Sequence, residues 1–163
     1  MNPAGEGDRF RAAARGYFAY AVVYWIGGVY LVWHGVGIPS PVTPSKRAVY
    51  VAFWAIAGLV PMFVIPYLLR RPRAWFERWL LSRRDFARIL ALVMAWRAIE
   101  VLRVALRSAT ATVAAPWGGE IPFRLGAVVF FVFTAVALAL LARACWASTW
   151  PTMLDPPSPA MSR

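Results

Sequence analysis

Three stretches of this chain, residues 16–36, 48–69 and 121–142, each run for about twenty residues with almost no charge, and a helix rising about 1.5 Å per residue crosses a hydrocarbon core of about 30 Å in that length. A water-soluble core has no room for three such runs: 61% of the 163 residues are hydrophobic and the mean hydropathy is +0.56. The excess faces lipid. A fourth, more polar run covers 86–108. The fold class that follows is an all-α integral membrane protein, a four-span helix bundle. A disordered tail over 1–15 precedes a transmembrane domain over 16–143, and a Pro-rich tail over 144–163 follows it.

The first run is longer than the apolar part of a signal peptide, and no small-x-small cleavage site follows it, so it reads as a retained anchor. Glycines and prolines between 35 and 44 end its helix. Pro61 and Pro66 fall in the second run. Pro61 removes the hydrogen bond to the Ala57 carbonyl and predicts a kink there. Ser82 and Asp85 have the spacing of a capping box and start the third helix. Residues 109–112 extend that helix by a turn, and Glu120-Ile121-Pro122 suits the first turn of the fourth.

Between spans two and three lies an arginine-rich segment. On a helix over 73–82, Trp75, Phe76, Trp79 and Leu80 fall within about 140° of one another at about 100° per residue. A short amphipathic helix in the headgroup plane is the expected form. Arg70, Arg71, Arg73, Arg78, Arg83 and Arg84 then contact lipid headgroups, with Trp75 and Trp79 as anchors.

Eighteen Lys and Arg against seven Asp and Glu give a charge of +11. In a soluble protein that balance suggests nucleic acid. Here the basic residues sit at the ends of apolar runs and no polar domain offers a groove, so nucleic acid is not an expected partner. With four crossings, Arg9, Arg11, Arg15, the 70–84 arginines, Arg88 and Arg143 share one side, against Lys46, Arg47, Arg107 and Arg124 on the other. The positive-inside rule then makes both termini cytoplasmic in the cell's inner (plasma) membrane. Three spans, with 86–108 left on the cytoplasmic side, satisfy that rule almost as well.

The third span carries the chemistry. Arg97, Glu100, Arg103 and Arg107 are spaced three, three and four apart, at about 0, 300, 240 and 280° around the helix, so they form one polar stripe near mid-bilayer. Each central Arg costs about 2.5–3.5 kcal/mol and each Leu, Ile or Val returns about 0.3–0.6, so the span is marginal alone and should be buried against other helices. One carboxylate faces three guanidinium groups, and the other acids lie in loops or tails. Glu120 can pair with Arg107 at the outer surface. The remaining excess calls for a carboxylate from another subunit, a lipid phosphate or an anionic solute. The simpler reading is that Arg103 and Arg107 snorkel outward while Arg97 and Glu100 form one structural pair.

A single cysteine and a single histidine exclude an intrachain disulfide and a zinc site of three or four Cys and His ligands. Cys145 is a candidate for acylation, though a buried inert thiol is the plainer reading. His34 is a candidate axial ligand for a haem or chlorophyll-type pigment, against the plainer reading of a solvated interfacial His. No cofactor or metal is otherwise expected. No nucleophile–base set or phosphate-binding loop is present, so no enzyme is expected.

The function expected is that of a non-catalytic multi-pass subunit or anchor, packed in an energy-converting or transport assembly through the Arg/Glu stripe. The alternative is a small oligomeric transporter or channel for an anionic solute or lipid, and a weaker one is a pigment- or haem-binding subunit. Lipids and other membrane subunits are the expected partners, with a homo-oligomer possible in the first two readings. Small residues at 28, 52, 55 and 58 suit close helix contact.

Overall fold

The computed structural model describes residues 3–34, 43–76, 78, 81–107 and 110–146, excepting the side chains of 3, 4 and 73. Helices α1 (Pro3–Trp33) and α2 (Pro44–Arg70) are followed by a one-turn α3 (Arg73–Phe76) and by α4 (Arg83–Arg107). Strands β1 (Thr112–Ala114) and β2 (Glu120–Pro122) then lead into α5 (Phe123–Trp146). Helices α1, α2 and α5 are long and apolar enough to cross a membrane; α4 is long enough but not apolar enough to be counted with them.

The helices pack in the order α2, α1, α5, α4, with α1 against both α2 and α5 and α4 against α5. Contacts at three levels set α1 parallel to α4. Glu6 meets Arg83 at one end, Tyr24 meets Arg97 midway, and the Tyr30 hydroxyl donates to the Ala114 carbonyl at the other end. The two ends are called here the arginine-rich end and the hairpin end.

The core is concentrated toward the arginine-rich end. Phe10, Ala13, Ala14, Tyr17 and Tyr20 of α1 share one buried cluster with Leu69 of α2, Ala87, Leu90, Ala91 and Met94 of α4, and Leu141, Ala144 and Cys145 of α5. No residue of α4 beyond Met94 is buried.

At two glycines α1 and α2 approach closely, at Gly58 closer than a side chain permits. A Cβ on Gly58 would lie 2.8 Å from Trp25 Cδ1, and one on Gly28 would lie 3.3 Å from the Trp54 ring. Trp25 fills the Gly58 gap and donates from Nε1 to the Ala55 carbonyl at 2.9 Å.

Several expectations need correction. Residues 3–15 are not a disordered tail but the first turns of α1. Ala12, Ala13 and Ala14 favour helix, Asp8 and Arg11 pair at 2.7 Å one turn apart, and Phe10 and Ala13 are buried in the core. The first helix ends at Trp33, before the expected 36; residues 35–42 lie outside those described. Helix α2 starts earlier than expected, with Pro44 in its first turn, and is continuous through Pro61 and Pro66.

Of the interfacial helix expected over 73–82, the described residues show one turn, Arg73–Phe76. Ser82 instead caps α4, its Oγ accepting from the Asp85 N–H at 3.1 Å while donating to the Asp85 carboxylate at 2.6 Å. Trp79 and Leu80, which carried part of that expected face, lie outside the described residues, as do Glu77, Ser108, Ala109 and the tail from 147.

The chain is predominantly helical, as expected, with one short ribbon that the all-α reading did not include. Instead of an extra turn of α4 and an early start to α5, residues 112–114 and 120–122 pair antiparallel, Thr112 opposite Pro122 and Ala114 opposite Glu120. The turn between them contains Gly118 and Gly119 at φ +93 and +82, a left-handed region that side chains resist. Those two glycines reverse the chain, and the Phe123 N–H donates to the Ala111 carbonyl at 2.9 Å, so α5 starts only at Phe123. The helix then runs past the expected 142 to Trp146.

Candidate functional site

Within α4 the four residues of the polar stripe meet three different surroundings. Arg97 turns toward α1, its guanidinium carbon 5.0 Å from the centre of the Tyr24 ring. That ring stacks on Tyr20 at 6.0 Å and meets Phe130 of α5 at 5.6 Å, so the cation lies against an aromatic group rather than a carboxylate. Arg103 Nη1 donates to Glu100 Oε1 at 2.9 Å, and these side chains are 57% and 36% exposed. Arg107 is exposed near the hairpin end.

The pairing of Glu120 with Arg107 is not made. The Glu120 carboxylate accepts instead from the Thr112 hydroxyl across the ribbon at 2.7 Å. Arg124 donates to the Ala105 carbonyl at 3.2 Å, tying the start of α5 to the last turns of α4. The stripe is therefore not buried within the chain. Leu92, Trp96 and Ile99 are also exposed on α4, so the Glu100–Arg103 pair sits on an otherwise apolar outer surface.

At the arginine-rich end the expected headgroup residues divide. Arg83 turns inward, its side chain nine-tenths buried. Its Nη1 donates to the Arg71 carbonyl at 3.1 Å, its Nη2 to Glu6 Oε1 at 3.1 Å, and its guanidinium covers the Phe10 ring at 4.0 Å. Arg84 reaches the other Glu6 oxygen at 3.4 Å. Arg71 lies over Tyr67 at 4.2 Å and nearer the edge of contact with Trp75 at 5.9 Å. Arg70 and Arg78 are exposed; the Arg73 side chain and Trp79 are outside the described residues.

Asp85 accepts from Ser82 and from Arg88 at 2.9 Å. The Ser82 hydroxyl first, and then the Arg88 guanidinium, hold its carboxyl below the usual aspartate range.

His34 is exposed one residue past α1, its ring 4.5 Å from that of Tyr30. Among the described residues no three His, Cys, Asp or Glu side chains come together as a metal site. Cys145 is buried, with its thiol directed to the Ala142 carbonyl at 3.7 Å.

Two groups that the site uses were not singled out from sequence. Tyr17, Tyr20 and Tyr24 repeat at three and four residues, a helical-face signal that was readable in the chain. Glu6 carried no such signal, because its partners lie 77 and 78 residues away. Compared with known protein families, curated proteins and solved structures, the chain matches none, so the functional reading rests on its own residues.

Proposed function

We propose that this chain is a non-catalytic, four-crossing membrane subunit that packs within a larger membrane assembly through the outward face of α4. The observation that carries this is the Glu100–Arg103 ion pair standing exposed among Leu92, Trp96 and Ile99. An ion pair facing hydrocarbon is costly, and a neighbouring subunit that covers it removes the cost.

A fourth crossing is supported by the way α4 lies against α5. Their 25 and 24 residues give helices of about 37 and 36 Å. Leu90, Ala91 and Met94 share a core cluster with Leu141, Ala144 and Cys145, while Arg124 meets Ala105 beside the hairpin. A helix matched at both ends to a membrane-crossing neighbour lies at the same depth. Both termini then fall on the arginine-rich side, which the positive-inside rule makes cytoplasmic, in a cell's inner membrane. Arg70, Arg78 and Trp75 at that end are suited to lipid headgroups.

The test is extraction of the full chain from its own membrane in mild detergent. Wild type should migrate within a complex larger than itself, and Glu100→Leu and Arg103→Leu variants, inserted at equal levels, should migrate free. A folded wild-type chain that is monodisperse and partnerless overturns this reading.

A further inference from the structure

We infer that the outward face of α4 receives a second transmembrane helix that carries a carboxylate at the depth of Arg103. This rests on the reading above, that α4 is a lipid-depth helix covered by another subunit, and names the chemistry of what covers it.

Ile89, Leu92, Trp96, Ile99, Arg103 and Leu106 follow one another at spacings of three, four, three, four and three. That alternation is the seam of two helices wound at a shallow left-handed angle, each knob entering a hole on the facing helix. The apolar members are 47–66% exposed, and the Arg103 side chain is 57% exposed, so nothing among the described residues covers the seam. Lipid suits the five apolar residues. It does not suit Arg103, which sits inside the seam more than a turn from the end of the helix.

The sign of the partner follows from the charges at hand. From Arg97 to Arg107, α4 carries three guanidinium groups and one carboxylate. The Tyr24 ring attracts Arg97 without neutralising it, and among the described residues Glu100 is engaged by Arg103 alone. Among the described acids, Glu6 and Asp85 are paired at the arginine-rich end with Asp8 close to them, and Glu120 is engaged in the ribbon.

A second copy of the chain fits poorly. Two copies inserted in the same sense meet about a parallel two-fold axis, in which seam residues face their own equivalents. Arg103 would then meet Arg103. A partner helix with Glu or Asp opposite that position turns the repulsion into a charge-assisted pair.

The experiment reconstitutes the full chain in phosphatidylcholine vesicles, free of anionic lipid, with fluorescent leucine–alanine transmembrane peptides bearing one Glu, one Gln or neither at the matching depth. Energy transfer reports association. The Glu peptide should associate at least tenfold more tightly than the peptide with neither. Arg103→Leu should erase that difference, and Arg103→Glu should transfer the preference to a Lys-bearing peptide.

If the three peptides associate equally, the carboxylate is overturned while helix docking on α4 stands. If none associates and a cysteine replacing Ile99 crosslinks only to a second copy, the occupant is the chain itself and the inference fails. If that cysteine is freely labelled by a bulky water-soluble reagent in sealed vesicles, α4 lies outside the bilayer and the underlying reading fails with it.

Discussion

Arg83 Nη2 lies 3.1 Å from Glu6 Oε1 across a sequence separation of 77 residues, and the same guanidinium holds the Arg71 carbonyl. One side chain thus fastens the starts of α1 and α4 to the end of α2. Direct packing between α1 and α4 is otherwise slight, since α1 packs on α2 and α5 while α4 packs on α5. Burial in this position desolvates the cation, and its partners offset that loss only while they are all present.

Glu6→Gln and Arg83→Lys should each lower stability by about 1.5–3 kcal/mol, the range for a hydrogen bond to a charged group. Lysine keeps the charge but cannot reach Glu6 and the Arg71 carbonyl with one planar fork. Unfolding of the detergent-solubilised chain by a denaturing surfactant reads the change. Equal midpoints for wild type and both variants would show the fastening to be incidental.

Gly58 and Trp25 set the distance between α1 and α2. A Cβ at 58 would meet Trp25 Cδ1 at 2.8 Å, so Gly58→Val must displace the indole from the Ala55 carbonyl. Overpacking of this kind costs about 1–3 kcal/mol. The expected readout is a lower unfolding midpoint with a red-shifted tryptophan emission, and Gly27→Ala, which meets no atom within 4 Å, serves as the silent control.

The hairpin end depends on two glycines at positive φ. Replacing both Gly118 and Gly119 with Ala places side chains in a left-handed backbone at about 1–2 kcal/mol per residue. The ribbon should loosen and release the Tyr30–Ala114 contact, with little effect at the arginine-rich end. Amide hydrogen exchange localises the effect: faster exchange over 112–123 and unchanged exchange over 83–94.

The cap of α4 should respond to acid. The Asp85 carboxyl titrates below its usual value, so its contribution is fully present above the ordinary aspartate range and is lost as pH falls through the lowered pKa. Ser82→Ala removes a cap of about 1 kcal/mol. Protection of the first amides of α4, taken relative to the intrinsic exchange rate at each pH, should fall in Ser82→Ala at neutral pH, and in wild type only in strong acid. An identical profile for the two proteins from neutral pH downward contradicts the cap.

Three apolar helices were legible in the chain because lipid leaves the backbone no partner but itself, so length and hydropathy specify a crossing without knowledge of the neighbours. The stripe from Arg97 to Arg107 was legible for a related reason, since helical spacing is local. What surrounds those residues is not local. Tyr24 beneath Arg97, Glu6 beneath Arg83 and the uncovered seam of α4 depend on how α1, α4 and α5 lean together, and no short-range period encodes that. The ends of helices also escaped, at residues 3–15 and 112–122, where one buried face or two left-handed glycines outweigh the average hydropathy that marks a span.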